Sequence, residues 1–541
     1  MQLASATQMR ELDRQTIEEI GIPGMVLMEN AGRGTADSMQ QFFGPVNGKT
    51  VCIFAGPGNN GGDGLVIART VHGQGAVPFV FFATDPEQLT GDAGHNFSIL
   101  KRLRIPYQVL DYKEKMLTLV DTILTLNRMH PVHCLVDALF GTGLERPISG
   151  PFLELVKGIN ILHDHHHMPV VSADIPSGLH SDSGTVLGEA VHADLTVTYG
   201  LPKPGLLHHG GPHVGRLVRV DIGLPTKIIS QMQLKGSILD SDITAALRPR
   251  QIGAHKGSHG HLLILAGSTG KTGAALLAGQ GALRSGAGLV TFAVPGNLNP
   301  IFETGLAEAM SVPLYGSTDI FTITDYEHIL ALSQGKDGII LGPGIGTDIG
   351  TGQLVLRLYT ESPLPMVVDA DALNILAAHP QQVCQPAGPR ILTPHPGEMS
   401  RLLGTSIEQV QADRLAAALW LQTDSHNDLP PMITVLKGAG TVITSTDGYW
   451  TINTTGNPGM GAGGMGDVLA GIIGGLLVQG HTPWQAACLG VYLHGLAADH
   501  LACKQPFGYT ASDVALALPQ RIGTLITASD KEILCSPPKI S

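Results

Sequence analysis

Apolar positions run along this chain in two rhythms, one helical and one of short continuous strands. Met9, Leu12, Thr16 and Ile20 recur at helical spacing behind Ser5 and Gln8, whose separation matches a capping box, so an amphipathic helix is expected to open the sequence. Short runs rich in β-branched residues follow at Val51–Ala55, Val77–Ala83, His133–Phe140, Val170–Asp174, Asp194–Tyr199 and Arg216–Asp221. Helical patterns lie between most of them, and this alternation predicts a mostly parallel sheet covered on both faces. The stretch from Leu224 to Leu247 reads as polar and irregular, and a domain boundary is expected there. A second alternation then starts with a strand at His261–Ala266 and a helix at Gly273–Ser285. The expected fold class is α/β in two tandem domains, residues 1–228 and 229–541. The first reads as a Rossmann-like three-layer sandwich, and the two halves share no repeat.

Composition narrows the function. At 541 residues the chain exceeds one ordinary core, and 43% hydrophobic with 14% charged residues supports large cores rather than disorder. A net charge of −12 argues against nonspecific nucleic-acid binding, which relies on basic side chains, and favours small-molecule partners. Cys52, Cys134, Cys384, Cys488, Cys503 and Cys535 lack CxxC spacing, which fits reduced thiols in a cytoplasmic protein better than disulfides or zinc. No export signal or membrane span is expected, since the longest apolar run, near Val468–Val478, is short and broken by glycines.

The chemistry concentrates in NTTGNPGMGAGGMGD, Asn453 to Asp467, ahead of the apolar helical pattern DVLAGIIGGLLV. Six glycines there remove side-chain bulk, leaving backbone amides and a helix N-terminus to hold an anion. Asp467, the only carboxylate of the string, stands at its rim as a base for an acceptor hydroxyl, and the combination points to phosphoryl transfer. This string resembles the anion-hole signature of ribokinase-like enzymes, in the version carried by ADP-dependent NAD(P)H-hydrate dehydratases. Upstream, KGAGTVI (437–443), TPHPGEM (393–399), VVDADALN (367–374), LGPGIG (341–346) and ALRSGAGLVT (282–291) resemble the same family in its order. The likeness implies a ribokinase-like three-layer sandwich. It assigns Lys437, Gly438, Ala439, Gly440, Thr441 and Gly466 to the adenine nucleotide, and Ala287, Gly344, His395 and Asp467 to the hydrate. It also implies ADP as co-substrate and Mg2+, with Glu398 as a metal helper; the residues alone do not choose ADP over ATP.

In the N-terminal half, GPGNNGGDG (Gly56 to Gly64) sits between a strand and a helical pattern, and Gly56, Gly58 and Gly61 fit a dinucleotide fingerprint, with Asp85 where a ribose-binding acid belongs. Asn59, Asn60 and Asp63 fill this loop with oxygens. DALFGTGLERP (137–147) and DIPSGL (174–179) follow later strands, and strand ends in one parallel sheet share a crevice. This set resembles the NAD(P)H-hydrate epimerase domain, so that the whole chain resembles the two-domain bacterial family devoted to NAD(P)H-hydrate repair. The resemblance implies that Asn59, Asn60, Gly61, Gly62 and Asp63, together with Gly141, Thr142, Gly143, Leu144, Glu145, Arg146 and Pro147, hold the hydrated dinucleotide. It gives Asn60, Asp137 and Ser177 to K+, hard oxygen ligands for a hard cation that do not by themselves choose K+ over Na+, Mg2+ or Ca2+, and Asp174 to the substrate, as candidate proton shuttle. Asp467 and Asp174 are thus the two catalytic candidates, and a homo-oligomer is expected.

Two further patterns are set aside. AGSTGKTG (266–273) imitates a P-loop, but Leu265 occupies the position of its first glycine, so it reads as a substrate-side turn. The run His163, Asp164, His165, His166, His167 reads as a solvated insertion without catalytic role, because consecutive loop residues rarely aim at one centre. The rival reading is a vitamin-precursor kinase, of hydroxymethylpyrimidine or thiazole type, fused to a noncatalytic nucleotide-binding module.

Overall fold

The computed structural model describes residues 1–110, 116–208, 213–247, 249–251, 253–316, 318–421 and 430–535. They form two compact units, Gln2–Gly236, and Ser237–Ser541 with Met1. The opening helix, Ala6–Arg14, carries both bonds of its capping box: the Gln8 amide donates to Ser5 Oγ at 3.2 Å and the Ser5 amide to Gln8 Oε1 at 2.9 Å. Met9 and Leu12 are buried beneath it. Its continuation over Gln15–Glu19 widens into a π-helix, so the helical period does not run on unchanged to Ile20.

The first unit is built on seven parallel strands: β1 (Thr50–Ala55), β2 (Val77–Phe82), β3 (Tyr107–Val109), β4 (Val132–Ala138), β5 (Val170–Ala173), β6 (Leu195–Tyr199) and β7 (Arg216–Val220). Their order across the sheet is β3-β2-β1-β4-β5-β6-β7. Central β1 is buried at every position. Val51, Ile53 and Ala55 enter one apolar cluster and Cys52 and Phe54 another, which is how alternate side chains feed two helical layers. Edge strand β3 was not expected, since three mostly exposed residues leave little apolar pattern.

The stretch Leu224–Leu247 is not irregular: it contains the helix Thr226–Gln231, strand β8 (Gly236–Leu239) and a 3-10 segment Ser241–Ala246. Short elements with few apolar residues leave too weak a period to read. The second unit continues with β9 (His261–Leu265), β10 (Leu289–Pro295), β11 (Met310–Leu314), β12 (Gly338–Leu341), β13 (Met366–Val368), β14 (Arg390–Leu392), β15 (Met432–Leu436), β16 (Val442–Ser445) and β17 (Trp450–Asn453). The ten-stranded order is β11-β10-β9-β12-β13-β14-β15-β16-β17-β8, parallel from β11 to β15 and antiparallel from β15 to β17. Against it lies the helix Met465–Val478, buried over most of its length and packed on the helix Thr272–Ser285. Their approach requires Gly471, where a Cβ would stand 2.1 Å from the Ala278 carbonyl oxygen. No helix among the described residues is long and apolar enough to cross a membrane.

Arg390, at the start of β14, is fully buried and donates to the carbonyls of Tyr359 (2.6 Å), Ser362 (2.7 Å), Leu364 (3.0 Å) and Pro389 (3.0 Å). Burial draws its guanidinium down to about 10, and the Tyr359 ring lies beside it. It ties the segment around Tyr359–Leu364 to the sheet. Arg390→Met, which fills the volume but strands those carbonyls, should cost about 3 kcal/mol or more. Urea unfolding measures it, and a loss under about 0.5 kcal/mol would show that the carbonyls find other donors.

Candidate active sites

Each sheet reverses its strand order once, and both candidate sites sit at that reversal, at the C-terminal ends of the strands. In the first unit the reversal lies between β1 and β4. The chain leaves β1 through Gly56 and enters the helix Asn59–Gly73 so tightly that a Cβ on Gly56 would stand 1.8 Å from the Leu139 carbonyl oxygen. Asn59 to Asp63, expected as a loop, form the first turn of that helix, where Asn60, Gly61, Gly62 and Asp63 are buried while Asn59 is exposed. Neither amide atom of Asn60 has a hydrogen-bond partner, although both are buried. An orphaned buried amide costs free energy unless something occupies it. Gly141, after β4, faces it: a Cβ there would lie 3.5 Å from Asn60 Oδ1.

Asp137, the penultimate residue of β4, is fully buried. It accepts from Ser177 Oγ (2.6 Å), the Ser177 amide (2.8 Å), Ser172 Oγ (2.9 Å) and the Leu139 amide (3.2 Å). Burial pushes its carboxyl upward against those four donors. Ser177 Oγ also receives the Phe140 amide at 2.9 Å, so the loops after β4 and β5 are sewn together. Beyond them Gly141, Thr142 and Leu144 are half-buried, whereas Gly143, Glu145, Arg146 and Pro147 are exposed. Asp85 caps its own turn through the Glu87 amide at 3.1 Å and is exposed.

Asp174 follows β5 with φ +64°, a left-handed backbone that a non-glycine residue holds only where the surroundings enforce it. Its Oδ1 accepts from Lys203 Nζ at 2.5 Å, the Tyr199 amide at 3.2 Å and Thr198 Oγ1 at 3.3 Å; no described donor meets Oδ2. Lys203 is buried and also donates to the Tyr199 carbonyl at 3.0 Å. The sequence reading missed it, though the strand-end position of LPKPG after β6 was a usable signal. Two further carboxyls feel this pair. Burial, then Asp174 and Asp13, push Asp63 well above the usual range, and burial lifts Asp13 to about 6. Both are thereby held toward the protonated form, beside an ion pair.

In the second unit the reversal lies between β9 and β12. The loops Ala266–Gly273 and Gly342–Gly346 meet there: Ser268 Oγ donates to the Gly344 carbonyl at 2.8 Å, and a Cβ on Gly344 would lie 2.9 Å from that of Lys271 and 3.3 Å from that of Ala274. Lys271, the lysine of the P-loop imitation, pairs with Asp371 at 3.0 Å. The next strands deliver charge. Asp369, after β13, accepts from Lys437 Nζ at 2.7 Å and Thr393 Oγ1 at 2.8 Å; Lys437, after β15, also lies 3.8 Å from Glu398 Oε2. His395 caps the helix Pro396–Leu403: its Nδ1 accepts the Gly397 amide at 2.9 Å, while Glu398 Oε2 accepts the His395 amide at 2.8 Å. The ring proton therefore belongs on Nε2, and burial with Lys437 nearby lowers its basicity.

The glycine string arrives last. Gly464 takes φ +86° as N-cap of the helix Met465–Val478, and no backbone acceptor among the described residues meets the amides from Gly463 to Asp467. Asp467 stands in that helix's first turn. Burial, then Asp369, raise it to about 6, against Lys437. Gly466 lies beside Lys437, where a Cβ would be 3.3 Å from Nζ. The turn Gly438–Thr441 is closed by Thr441 Oγ1 donating to the Gly438 carbonyl at 2.8 Å, with Gly438 and Ala439 exposed. Behind it Arg414, buried and drawn down to about 10 by burial, donates to the Leu436 carbonyl at 3.1 Å. Asp499 and Tyr509 hold the string's shape: Asp499 accepts from the Gly456 amide and Asn457 Nδ2, both at 2.9 Å, and Tyr509 Oη donates to Asn457 at 2.6 Å.

Gly344, His395, Lys437, Gly466 and Asp467 are thus gathered at one edge of the sheet. Ala287 is not. It precedes β10 beside Gly286, which Arg250 and Gln479 approach at the far end of the helix Met465–Val478; the alanine that packs on Gly344 is Ala274. The likeness of ALRSGAGLVT marks a helix-to-strand turn, and such turns fall on the edge opposite the strand ends. The histidine run also differs from its reading, because His163 to His166 belong to the helix Pro151–His166 rather than to a loop.

Comparison with known proteins bears on both units. A family model described as NAD(P)H-hydrate dehydratase matches residues 262–520, and one described as YjeF-related protein N-terminus matches residues 24–205. The bifunctional NAD(P)H-hydrate repair enzyme Nnr of Moorella thermoacetica is 40% identical over 506 residues, covering 93% of this chain and 93% of its own. That of Thermofilum pendens is 38% identical over 534 residues, with 97% of each chain covered. Among solved structures, an ADP/ATP-dependent NAD(P)H-hydrate dehydratase from Bacillus subtilis is 31% identical, spans 53% of this chain and 97% of its own, and has a TM-score of 0.45.

The raised carboxyl of Asp467 makes a stability prediction. Between the ordinary aspartate value of 3.8 and about 6 the folded protein keeps a proton that the unfolded chain has released, so this group's contribution falls as pH rises through that window. Asp467→Asn removes the fall. Its stability relative to the parent should improve by about 1–2 kcal/mol between pH 4 and pH 8 in urea unfolding; parallel pH profiles would contradict the buried, raised carboxyl.

Proposed function

The chain belongs to the family of bifunctional NAD(P)H-hydrate repair enzymes, and on that premise we propose how its two sites divide the repair of hydrated NADH and NADPH. Residues 1–228, the epimerase domain, interconvert the R and S hydrates. Residues 229–541, the dehydratase domain, dehydrate the S form with ADP, giving NAD(P)H, AMP and phosphate. The vitamin-precursor kinase reading is not favoured, because the relatives match across both halves. We assign the cytoplasm as its compartment and a homo-oligomer as its assembly.

The observation that carries the dehydratase reading is Asp467 beside unpaired amides at a helix N-terminus. Hydroxide leaves a carbinolamine carbon poorly, whereas a phosphate ester leaves readily under the push of the ring nitrogen. The open amides from Gly463 to Gly466 and the Lys437 ammonium stabilise the phosphoryl group in transfer. Asp467, raised to about 6, is ionised near neutral pH and takes the proton of the hydrate hydroxyl as its oxygen attacks phosphorus. The Gly438–Thr441 turn seats the adenine nucleotide, and Gly344 and His395 line the hydrate side, joined by Ala274. Mg2+ finds no dedicated cradle here: Lys437 already engages Asp369, and burial lifts Glu398 to about 7, so no step is derived through it.

In the epimerase half, Asp174 offers its unoccupied Oδ2 to the substrate while Lys203 holds Oδ1. It relays a proton as the carbinolamine carbon opens and recloses. Asn59 to Asp63 and Gly141 to Pro147 bind the dinucleotide around it. The orphaned Asn60 amide, with the oxygens of Asp137 and Ser177, fits a K+ ion. Its charge would attract the pyrophosphate to the loop.

Purified protein mixed with both NADPH-hydrate epimers and ADP should release phosphate and restore near-ultraviolet absorbance, whereas a kinase would accumulate a stable phosphomonoester. Asp467→Asn should lower kcat by about 10²–10⁴-fold with little change in KM, and the parent's rate should climb as pH rises through about 6. Full rates in that variant would remove the assigned base. Asp174→Ala should stop enzyme-driven epimer exchange and spare dehydration of the S form; unchanged exchange would transfer the shuttle to another group.

A further inference from the structure

The histidine-rich end of the helix Pro151–His166 serves neither activity, and it converges with a segment that the sequence run does not contain. His163 Nδ1 lies 2.7 Å from Asp164 Oδ1, and His192 Nδ1 lies 3.1 and 3.2 Å from the two oxygens of Asp164. One ligand atom from each of the three residues lies within 4.8 Å of the others. Zinc with nitrogen and oxygen ligands at about 2.0–2.1 Å needs tetrahedral neighbours roughly 3.3 Å apart, so small rotations bring these three side chains onto one ion and leave its fourth position to water.

The frame beneath the cluster is already fixed. One turn earlier on the same helix, Asn160 Nδ2 donates to the Ala190 carbonyl at 2.9 Å and to Glu189 Oε1 at 3.2 Å, and Asn160 Oδ1 accepts the His192 amide at 2.9 Å. Behind His163, Nε2 faces Asp194 Oδ2 at 3.4 Å, and that oxygen is anchored by the Val170 amide at 2.9 Å. A carboxylate on the far ring nitrogen is the arrangement that fixes tautomer and aim in metal-binding histidines. His213 packs on His192 with ring centroids 5.0 Å apart.

We propose that His163, Asp164 and His192 bind one divalent transition-metal ion, with zinc the best match, and that the ion clips the helix Pro151–His166 to the segment leading into β6. Two imidazoles and one carboxylate suit zinc better than calcium or magnesium, which favour all-oxygen sites. The cluster lies before β5 and β6, on the sheet edge opposite Asp174, so its role is structural. The ion binds the folded unit and not the unfolded chain, and therefore stabilises it.

The test is zinc titration of the full chain after chelator treatment, in buffer containing K+ and Mg2+, with a competing chromophoric chelator. The parent should bind one zinc that His163→Gln and His192→Gln each weaken at least about tenfold; His165→Gln, on the neighbouring exposed histidine, should bind as the parent does. With chelator present all four proteins should melt alike, and added zinc should raise the midpoint of only the parent and His165→Gln. Co2+ in place of zinc should give visible d–d absorption that the His192→Gln variant lacks. Equal zinc affinity in His163→Gln and His192→Gln, or equal weakening in His165→Gln, would overturn the proposal.

Discussion

A parallel strand must be followed by a crossing back over the sheet, so every strand of such a sheet hands its next loop to the same edge. That constraint governs both units. It brings Asn60, Asp137, Asp174 and Lys203 together across more than a hundred residues, and does the same for Gly344, Asp369, His395, Lys437 and Asp467. At the single reversal of strand order the neighbouring crossings diverge to opposite faces and leave a crevice. The groups proposed for both reactions stand along those two crevices.

Within them the dominant electrostatic effect is desolvation. Each site sets a lysine against a strand-end aspartate, the buried Lys203 with Asp174 and the half-buried Lys437 with Asp369. Further carboxyls close by cannot all ionise: Asp63 and Asp13 in one unit, Asp467 and Glu398 in the other, are all displaced upward by burial first. A non-glycine residue with left-handed backbone marks each place, Asp174 itself in the first and Ala370, next to Asp369, in the second. Strain of that kind persists only where the surroundings over-determine the turn. It aims the carboxylates.

Much of this was legible in the residues. The six first-unit strands expected from the sequence correspond to observed strands: β1, β5 and β6 are buried at every position, and even the more exposed edge strand β7 keeps its short β-branched run; the capping box at Ser5 and Gln8 is local enough to see directly. The glycine string was legible because its function is to lack side chains. Lys203, after a strand, and Arg414, at the start of the short helix Arg414–Ala418, were not, since a lone cation reads as a surface charge until the fold shows it buried. Ala287 was misplaced because likeness along the chain does not say which edge of a sheet a turn occupies. Asp164 and His192, twenty-eight positions apart, meet only through tertiary packing.

The tethers on the glycine string have a consequence for biosynthesis. The loop around Gly456 and Asn457 takes its shape from Asp499 and Tyr509, close to the end of the described chain. The first crevice, by contrast, needs nothing beyond β7. During translation at roughly 5–20 residues per second, the first half can mature on the ribosome while the second still lacks its scaffold. The order of synthesis thus lets the first crevice take shape before the glycine string of the second has the side chains that hold it.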